Sequence, residues 1–234
     1  MKSWIEYWDG DHPIYVNPRH RLLHYQFLAR DLAELVPDAE AIVLDFGCGE
    51  AEGAGDLARH CRKLYLADAA PTVRANLEGR FSAHGRITIL SPEGVDDLPA
   101  GSLDLVILHS VAQYIAKPAL AALLAKLVSK LRDGGRLVLG DLIPPELSAW
   151  ADAQALLEFG WKGGFLLAAM AGLVRAALSD YRKLRQDLGL TRYEESEILA
   201  VLEGLGLTAR RIEHNPGHNQ ARYAVMGLKV APLE

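Results

Sequence analysis

Short apolar runs alternate with amphipathic stretches between residues 41 and 140. Ala41-Ile42-Val43-Leu44-Asp45-Phe46 predicts a buried strand ending in a glycine turn, with a helix over residues 52–60 behind it. Further strands are predicted over 63–67, 86–90, 103–108 and 136–140. Helices are predicted over 71–80, opened by a proline that suits a first helical turn, and over 118–131, closed by Asp133-Gly134-Gly135. Strand and helix alternating at this spacing predict an α/β fold with a doubly wound, mostly parallel sheet.

The flanks follow other patterns. Residues 18–36 read as a helix stopped by Pro37, with Leu28, Leu32 and Leu35 on one face. Residues 142–192 show no strand signal and predict two helices, 146–159 and 165–188, broken by Gly160 and Gly163-Gly164. A helix over 194–205 precedes two strands, 207–212 and 221–229, around the turn His214-Asn215-Pro216-Gly217-His218. The simplest organisation is one domain over 1–234. Within it, 1–37 form a helical cap, 41–141 the core, 142–192 a helical lid insertion, and 193–234 a last helix and strand pair.

Composition narrows the class. The chain has 234 residues, half of them hydrophobic, with 25 basic and 30 acidic side chains. A net charge of -5 leaves no basic surplus for a phosphate backbone, so nucleic acid is not the expected partner. Cys48 and Cys61 are too few and wrongly spaced for a disulfide framework or a cysteine-built zinc site. No apolar run follows the first charges, and the stretch 163–174 is shorter than the roughly 20 residues of a membrane span. These features predict a cytoplasmic enzyme with a small-molecule substrate and no membrane span; they do not address its oligomeric state.

Candidate chemistry begins at Asp45-Phe46-Gly47-Cys48-Gly49-Glu50-Ala51. Two glycines after a first strand allow a sharp turn and close backbone approach to a ligand. A nicotinamide-dinucleotide oxidoreductase is the alternative. Its fingerprint, however, wants a third glycine where Glu52 stands, with Gly53 one place late, and Asp45 and Glu50 would repel a pyrophosphate.

The stretch resembles the first motif of the class I S-adenosylmethionine-dependent methyltransferases, with Ala51 where glycine is usual. The resemblance covers residues 41–140, more weakly the last strand pair, and implies a seven-stranded sheet with an antiparallel last strand. It further implies S-adenosyl-L-methionine as cofactor, with Asp45, Gly47, Cys48 and Gly49 at its methionine part and Asp68, followed by Ala69, at its ribose. Glu93, Gly94 and Val95 fall at the adenine position, Glu93 serving if the loop carries one extra residue. His109 and Ser110 end the fourth strand beside the cofactor, and the His109 imidazole is also a candidate proton acceptor. Asp133-Gly134-Gly135 resembles the family's turn into strand five, Asp133 standing for the common proline. A methyltransferase-like domain that binds without catalysing is a further alternative.

Two segments are expected to cover the site. Tyr15, His20 and His24 fall where they close over cofactor and acceptor, with Tyr15 and His24 as catalytic candidates and His20 as a substrate contact, or they simply pack the segment on the sheet edge. His20 and His24 lie one helical turn apart, but Arg21 takes the place of a zinc motif's glutamate, so no metal is expected. In the insertion, Phe165, Leu166, Met170, Leu173, Val174, Tyr181 and Leu184 make one helix face, with the small Ala168, Ala169, Gly172 and Ala176 opposite. Met170 and Leu173 are expected to line an apolar pocket, with Tyr181, Arg182 or Arg185 offering polar contacts to the acceptor. The histidines and amides of 214–220 read chiefly as turn formers.

Overall fold

The computed structural model describes residues 3–10, 15–177 and 189–230. Seven strands form one sheet: β1 (Ile42–Phe46), β2 (Lys63–Ala67), β3 (Ile87–Leu90), β4 (Leu103–His109), β5 (Leu131–Leu142), β6 (Leu207–Ile212) and β7 (Tyr223–Lys229), in the order β3-β2-β1-β4-β5-β7-β6. β1 to β5 pair in parallel, and β7 runs antiparallel to both neighbours, β5 and β6. The fold is therefore the doubly wound, mostly parallel α/β architecture with an antiparallel last strand. β1 and β4, adjacent at its centre, end side by side, and the crevice at the carboxyl edge beside them is where such a sheet takes ligands.

Apolar residues alternate between the two faces of the central strands, which is why both faces are covered. Leu44, Val106 and Leu108 pack with Leu120, Leu124 and Leu127 of one helix, α6 (Lys117–Lys130). Val43, Leu105 and Ile107 pack on the other face with Leu57 of α3 (Ala54–Leu57) and with Val73 and Leu77 of α4 (Pro71–Phe81). Each such leucine contributes on the order of 1.5–3 kcal/mol by leaving water.

Among the described residues the remaining helices are α1 (Trp4–Trp8), α2 (Pro18–Ala33), α5 (Pro92–Asp96), α7 (Ala149–Gly163), α8 (Leu166–Ala177) and α9 (Glu195–Gly204), with a 3-10 turn at Ala112–Tyr114. Several predicted boundaries move for identifiable reasons. α2 stops at Ala33 because Leu35 and Val36 bond three residues back, to Leu32 and Ala33, in a tightened last turn. α3 is shorter than 52–60, Arg59 and His60 likewise bonding three residues back. β5 begins at Leu131, not Arg136, since a bulge absorbs Asp133-Gly134-Gly135: Leu103 pairs with Leu131 and Leu105 with Arg136.

The insertion departs most from expectation. Gly160 lies inside α7, where a Cβ would sit 3.0 Å from the Ala169 Cβ, so it serves close helix packing. The break comes at Gly164, which caps α7 at φ +72°. The small side of α8 is the buried one: Ala169 is fully covered and Gly172 admits Val16, whereas Leu167, Met170 and Val174 are exposed. Met170 therefore does not line an interior pocket. Among the described residues no helix is long and apolar enough to cross a membrane.

Candidate functional site

The loop after β1 is shaped by β2. Gly47 and Cys48 N–H donate to the Ala67 carbonyl at 2.7 and 3.2 Å, and the Asp68 Oδ2 accepts Gly49 N–H at 2.9 Å. Gly47 and Gly49 have φ +74° and +56°, a region that glycine enters at little cost. Their surroundings differ. A Cβ on Gly47 would meet Val111 Cγ2 at 2.4 Å, whereas a Cβ on Gly49 would project into open space. Gly47 is required by packing, and Gly49 leaves its backbone open to a ligand.

Asp45 and Asp68 give this opening its charge. No described residue hydrogen-bonds the Asp45 carboxyl, and burial together with the neighbouring Asp68 pushes its pKa up to about 7. Asp68 accepts Gly49 N–H on one oxygen and Ala70 N–H, at 2.8 Å, on the other. Burial raises its pKa too, partly offset by those amides. A buried carboxyl with no donor beside a half-buried one suits a ligand carrying a cation and a diol and repels phosphate. The Cys48 thiol is held protonated by burial and by both carboxylates. Glu50, expected to join them, does not: it pairs with Arg80 at 2.8 Å and Asn76 at 3.0 Å on α4.

At the adenine position the chain forms α5. Ser91 caps it, taking Gly94 N–H on Oγ at 3.2 Å and Val95 N–H on its carbonyl at 3.1 Å. These amides, expected to meet a ring, are engaged inside the helix, and the Val95 side chain is buried. The exposed Glu93 carboxylate has its pKa lowered by the Ser91 hydroxyl.

The ends of β4 and β5 form a half-buried polar frame. His109 Nε2 donates to the Pro216 carbonyl at 2.9 Å, and its Nδ1 faces Ser110 Oγ at 3.2 Å. Nε2 thus anchors His109 to the turn, while its Nδ1 lies against a hydroxyl whose proton goes to Asp141. Ser110 Oγ donates to Asp141 Oδ2 at 2.6 Å, which also receives Arg222 at 2.8 Å. Arg222 in turn pairs with Asp152 of α7 at 3.1 Å. Burial alone would raise the Asp141 pKa, but Arg222, His109 and Ser110 bring it below the usual carboxylate value. Ala51, Ser110 and Asp141 are the non-glycine residues with left-handed φ among the described residues, at +41°, +58° and +62°. All lie at this edge of the sheet, where backbone strain commonly marks function.

Opposite the frame, rings from three distant segments converge. His20 stacks on Phe165 at 5.1 Å, and His218 stacks on Phe159 at 4.4 Å. His20, His24 and His218 lie 6.0 to 6.4 Å apart by ring centroid, and Tyr15 lies within 5.8 Å of His20, His24 and Tyr25. Burial depresses the histidines, His20 to about 4 and His24 to about 3, so they stay neutral at physiological pH. Burial likewise raises Tyr15 to about 12. Among the described residues no group of three or more histidine, cysteine or acidic side chains is arranged to hold a metal ion. Tyr181, Arg182 and Arg185 lie outside the described residues. Sequence reasoning missed Asp141, Asp152 and Arg222; the signal available was an aspartate directly after the fifth apolar run.

A methyltransferase-domain family model matches residues 44–139. Over those residues the chain is thus similar to methyltransferase domains. The biotin biosynthesis bifunctional protein of Bordetella avium is 26% identical over 204 residues, which are 85% of this chain and 42% of that protein. The carboxy-S-adenosyl-L-methionine synthase of Dichelobacter nodosus is 31% identical over 121 residues, 47% of this chain and 50% of that protein. The chain thus spans half or less of the length of these curated relatives. In fold it resembles the magnesium protoporphyrin IX methyltransferase of Synechocystis with bound S-adenosylhomocysteine, at TM-score 0.61 and 19% identity, covering 95% of this chain and 91% of that one.

Proposed function

We propose that this chain transfers a methyl group from S-adenosyl-L-methionine to a small-molecule acceptor bound among the rings of α2, α7 and the turn before β7. The observation that carries this reading is the Asp45 carboxyl, buried without a donor beside Asp68 and the open Gly49 backbone. Asp45, Gly47, Cys48 and Gly49 would hold the methionine part, and Asp68 with Ala69 the ribose. Asp68 retains lone pairs for two hydroxyls after accepting its two amides. Glu93 is the adenine partner in this reading, since the Gly94 and Val95 amides are engaged elsewhere.

When bound, the cofactor supplies an electrophilic methyl on a positively charged sulfur. The chain's part is to align an acceptor with that methyl, exclude water and, where the acceptor is protonated, remove the proton. The carbocyclic rings of Tyr15, Phe159 and Phe165 suit this task, because they seal the site without competing for the methyl as an exposed amine or thiolate would.

Calorimetry tests the reading directly. S-adenosylhomocysteine is expected to bind and nicotinamide-adenine dinucleotide to show no heat; the reverse result overturns it. Incubation of the chain and labelled S-adenosylmethionine with a cell extract is then expected to yield a methylated product of low mass. Label found only in macromolecules would refute the small-molecule acceptor.

A further inference from the structure

The turn between β6 and β7 is bonded far beyond what a hairpin needs. Asp31 of α2 accepts Gly217 N–H at 2.8 Å and pairs with His214 at 3.1 Å. His109 of β4 donates to the Pro216 carbonyl, and Asn215 Oδ1 accepts Asp141 N–H of β5 at 2.8 Å. Inside the turn, Gln220 takes Asn215 N–H and donates to the Asn215 and Gly217 carbonyls, and Asn215 donates to the Asn219 carbonyl. The amides and imidazoles that read as turn formers are locks, tying the turn to α2, β4 and β5 at once. What the locked turn presents to the ring cluster is His218.

The histidines of the cluster are not equivalent. His109 Nε2 is engaged by the Pro216 carbonyl and its Nδ1 faces Ser110 and not the cluster, and His20 Nδ1 accepts Val16 N–H at 3.3 Å. No hydrogen bond from a described residue reaches the His24 or His218 ring. Of these two, His218 is the one fixed against the ends of β4 and β5, beside the crevice that takes the cofactor. The groups acting on it are Asp141, Arg222, His109 and Asp152, with His20 and His24 across the cluster.

We propose that His218 accepts the proton of a flat, uncharged acceptor bearing a phenol-like or enol-like hydroxyl, held among Tyr15, His20, His24, Phe159 and Phe165, so that transfer is to oxygen. In this step the acceptor's O–CH3 bond forms as the S–CH3 bond breaks. The hydroxyl proton passes to the open His218 nitrogen and on to solvent, and the sulfonium leaves as a neutral thioether. The choice of acceptor follows from the lining. Among the described residues the nearby arginines already have protein partners, Arg19 the Gly163 carbonyl, Arg21 Glu52 and Arg222 two aspartates, which leaves each a weaker partner for a carboxylate. Those two aspartates are spent on Arg222, so they offer a protonated amine nothing. A conjugated hydroxyl, neutral near pH 7 and poorly nucleophilic until deprotonated, is the acceptor that needs a neutral imidazole on a rigid support.

This inference rests on the methyltransferase reading, and the experiment separates their failures. The full chain is incubated with radiolabelled S-adenosylmethionine and 2-naphthol, 2-naphthoate or 2-naphthylmethylamine, and S-adenosylhomocysteine affinity is measured alongside. Label is expected in 2-naphthol alone. His218→Phe, which keeps the stack on Phe159 and removes the nitrogens, is expected to lower kcat about a hundredfold. KM and S-adenosylhomocysteine affinity should change less than threefold, and the acid limb of the kcat–pH profile should vanish. Failure of the wild-type chain to bind S-adenosylhomocysteine would overturn the methyltransferase reading. Binding without transfer to 2-naphthol, transfer to the acid or amine instead, or a wild-type kcat in His218→Phe would overturn this inference alone.

Discussion

The Asp68 carboxylate accepts the Gly49 N–H at 2.9 Å, so the end of β2 holds the glycine loop at the end of β1. One side chain thereby orders the loop and faces the ribose position of the proposed site. Asp68→Ala should weaken S-adenosylhomocysteine binding by about 1–3 kcal/mol through loss of charge-assisted hydrogen bonds. Asp68→Asn keeps one carbonyl acceptor and should lie between. Calorimetry on the three proteins checks the order, and equal affinities would place the ribose elsewhere.

Asp45 predicts a proton coupled to the cofactor. Its pKa is raised to about 7 in the folded chain, above the ordinary carboxylate value. The folded state therefore binds more protons than the unfolded chain between about pH 4 and 7, and stability falls as pH rises through that window. An ammonium or sulfonium arriving beside Asp45 favours its ionised form. At pH 6, S-adenosylhomocysteine binding should release up to about one proton. Calorimetry in buffers of different ionisation enthalpy reads this release, and Asp45→Asn should abolish it. A wild-type release of zero would count against Asp45 as the cation's neighbour.

Gly47 and Gly49 separate packing from binding. Alanine at Gly47 meets both a left-handed φ and Val111, and should destabilise the fold by about 2 kcal/mol or more. Alanine at Gly49 meets the dihedral cost alone, about 1 kcal/mol, but puts a methyl into the space where a ligand would approach. Denaturant melts should thus rank Gly47→Ala as the less stable variant, and binding should be lost more completely, relative to stability, in Gly49→Ala. Melts in the opposite order would refute the distinction.

Sequence pattern carried the central sheet because β1 and β4 are buried on both faces, and only unbroken apolar runs satisfy that. It brought Asp45, Gly47, Gly49 and Asp68 to one edge of the sheet because each sits at a strand end, a position that periodicity defines. It missed what depends on pairing across distance. Nothing near Asp31 announces that it receives Gly217, 186 residues on, and nothing near Arg222 announces Asp141 and Asp152. Gly160 was misread for a related reason: a glycine that breaks a helix and one that admits a neighbouring helix look alike until Ala169 is placed against it. Glu50 read as part of the loop's negative charge because loop position does not reveal that Arg80 turns it away.

Arg222 bridges two largely buried carboxylates, Asp141 and Asp152, with side-chain exposures of 15%, 13% and 19% in that order. Removing the cation leaves two like charges uncompensated in a poorly solvated place, which typically costs about 3–5 kcal/mol. Arg222→Leu should therefore be strongly destabilised at neutral pH, and adding Asp141→Asn should restore part of the loss by removing one stranded charge. Acid should act oppositely on the two backgrounds. In the native chain the depressed Asp141 pKa gives stability that is lost as pH falls through the folded value. In Arg222→Leu that pKa rises, so mild acid protonates Asp141 and relieves the stranded charge. Urea melts between pH 4 and 7 should show Arg222→Leu closing part of its gap to the native chain as pH falls. A gap that is constant with pH, or a double variant no more stable than Arg222→Leu, would mean that the bridge contributes packing and not charge.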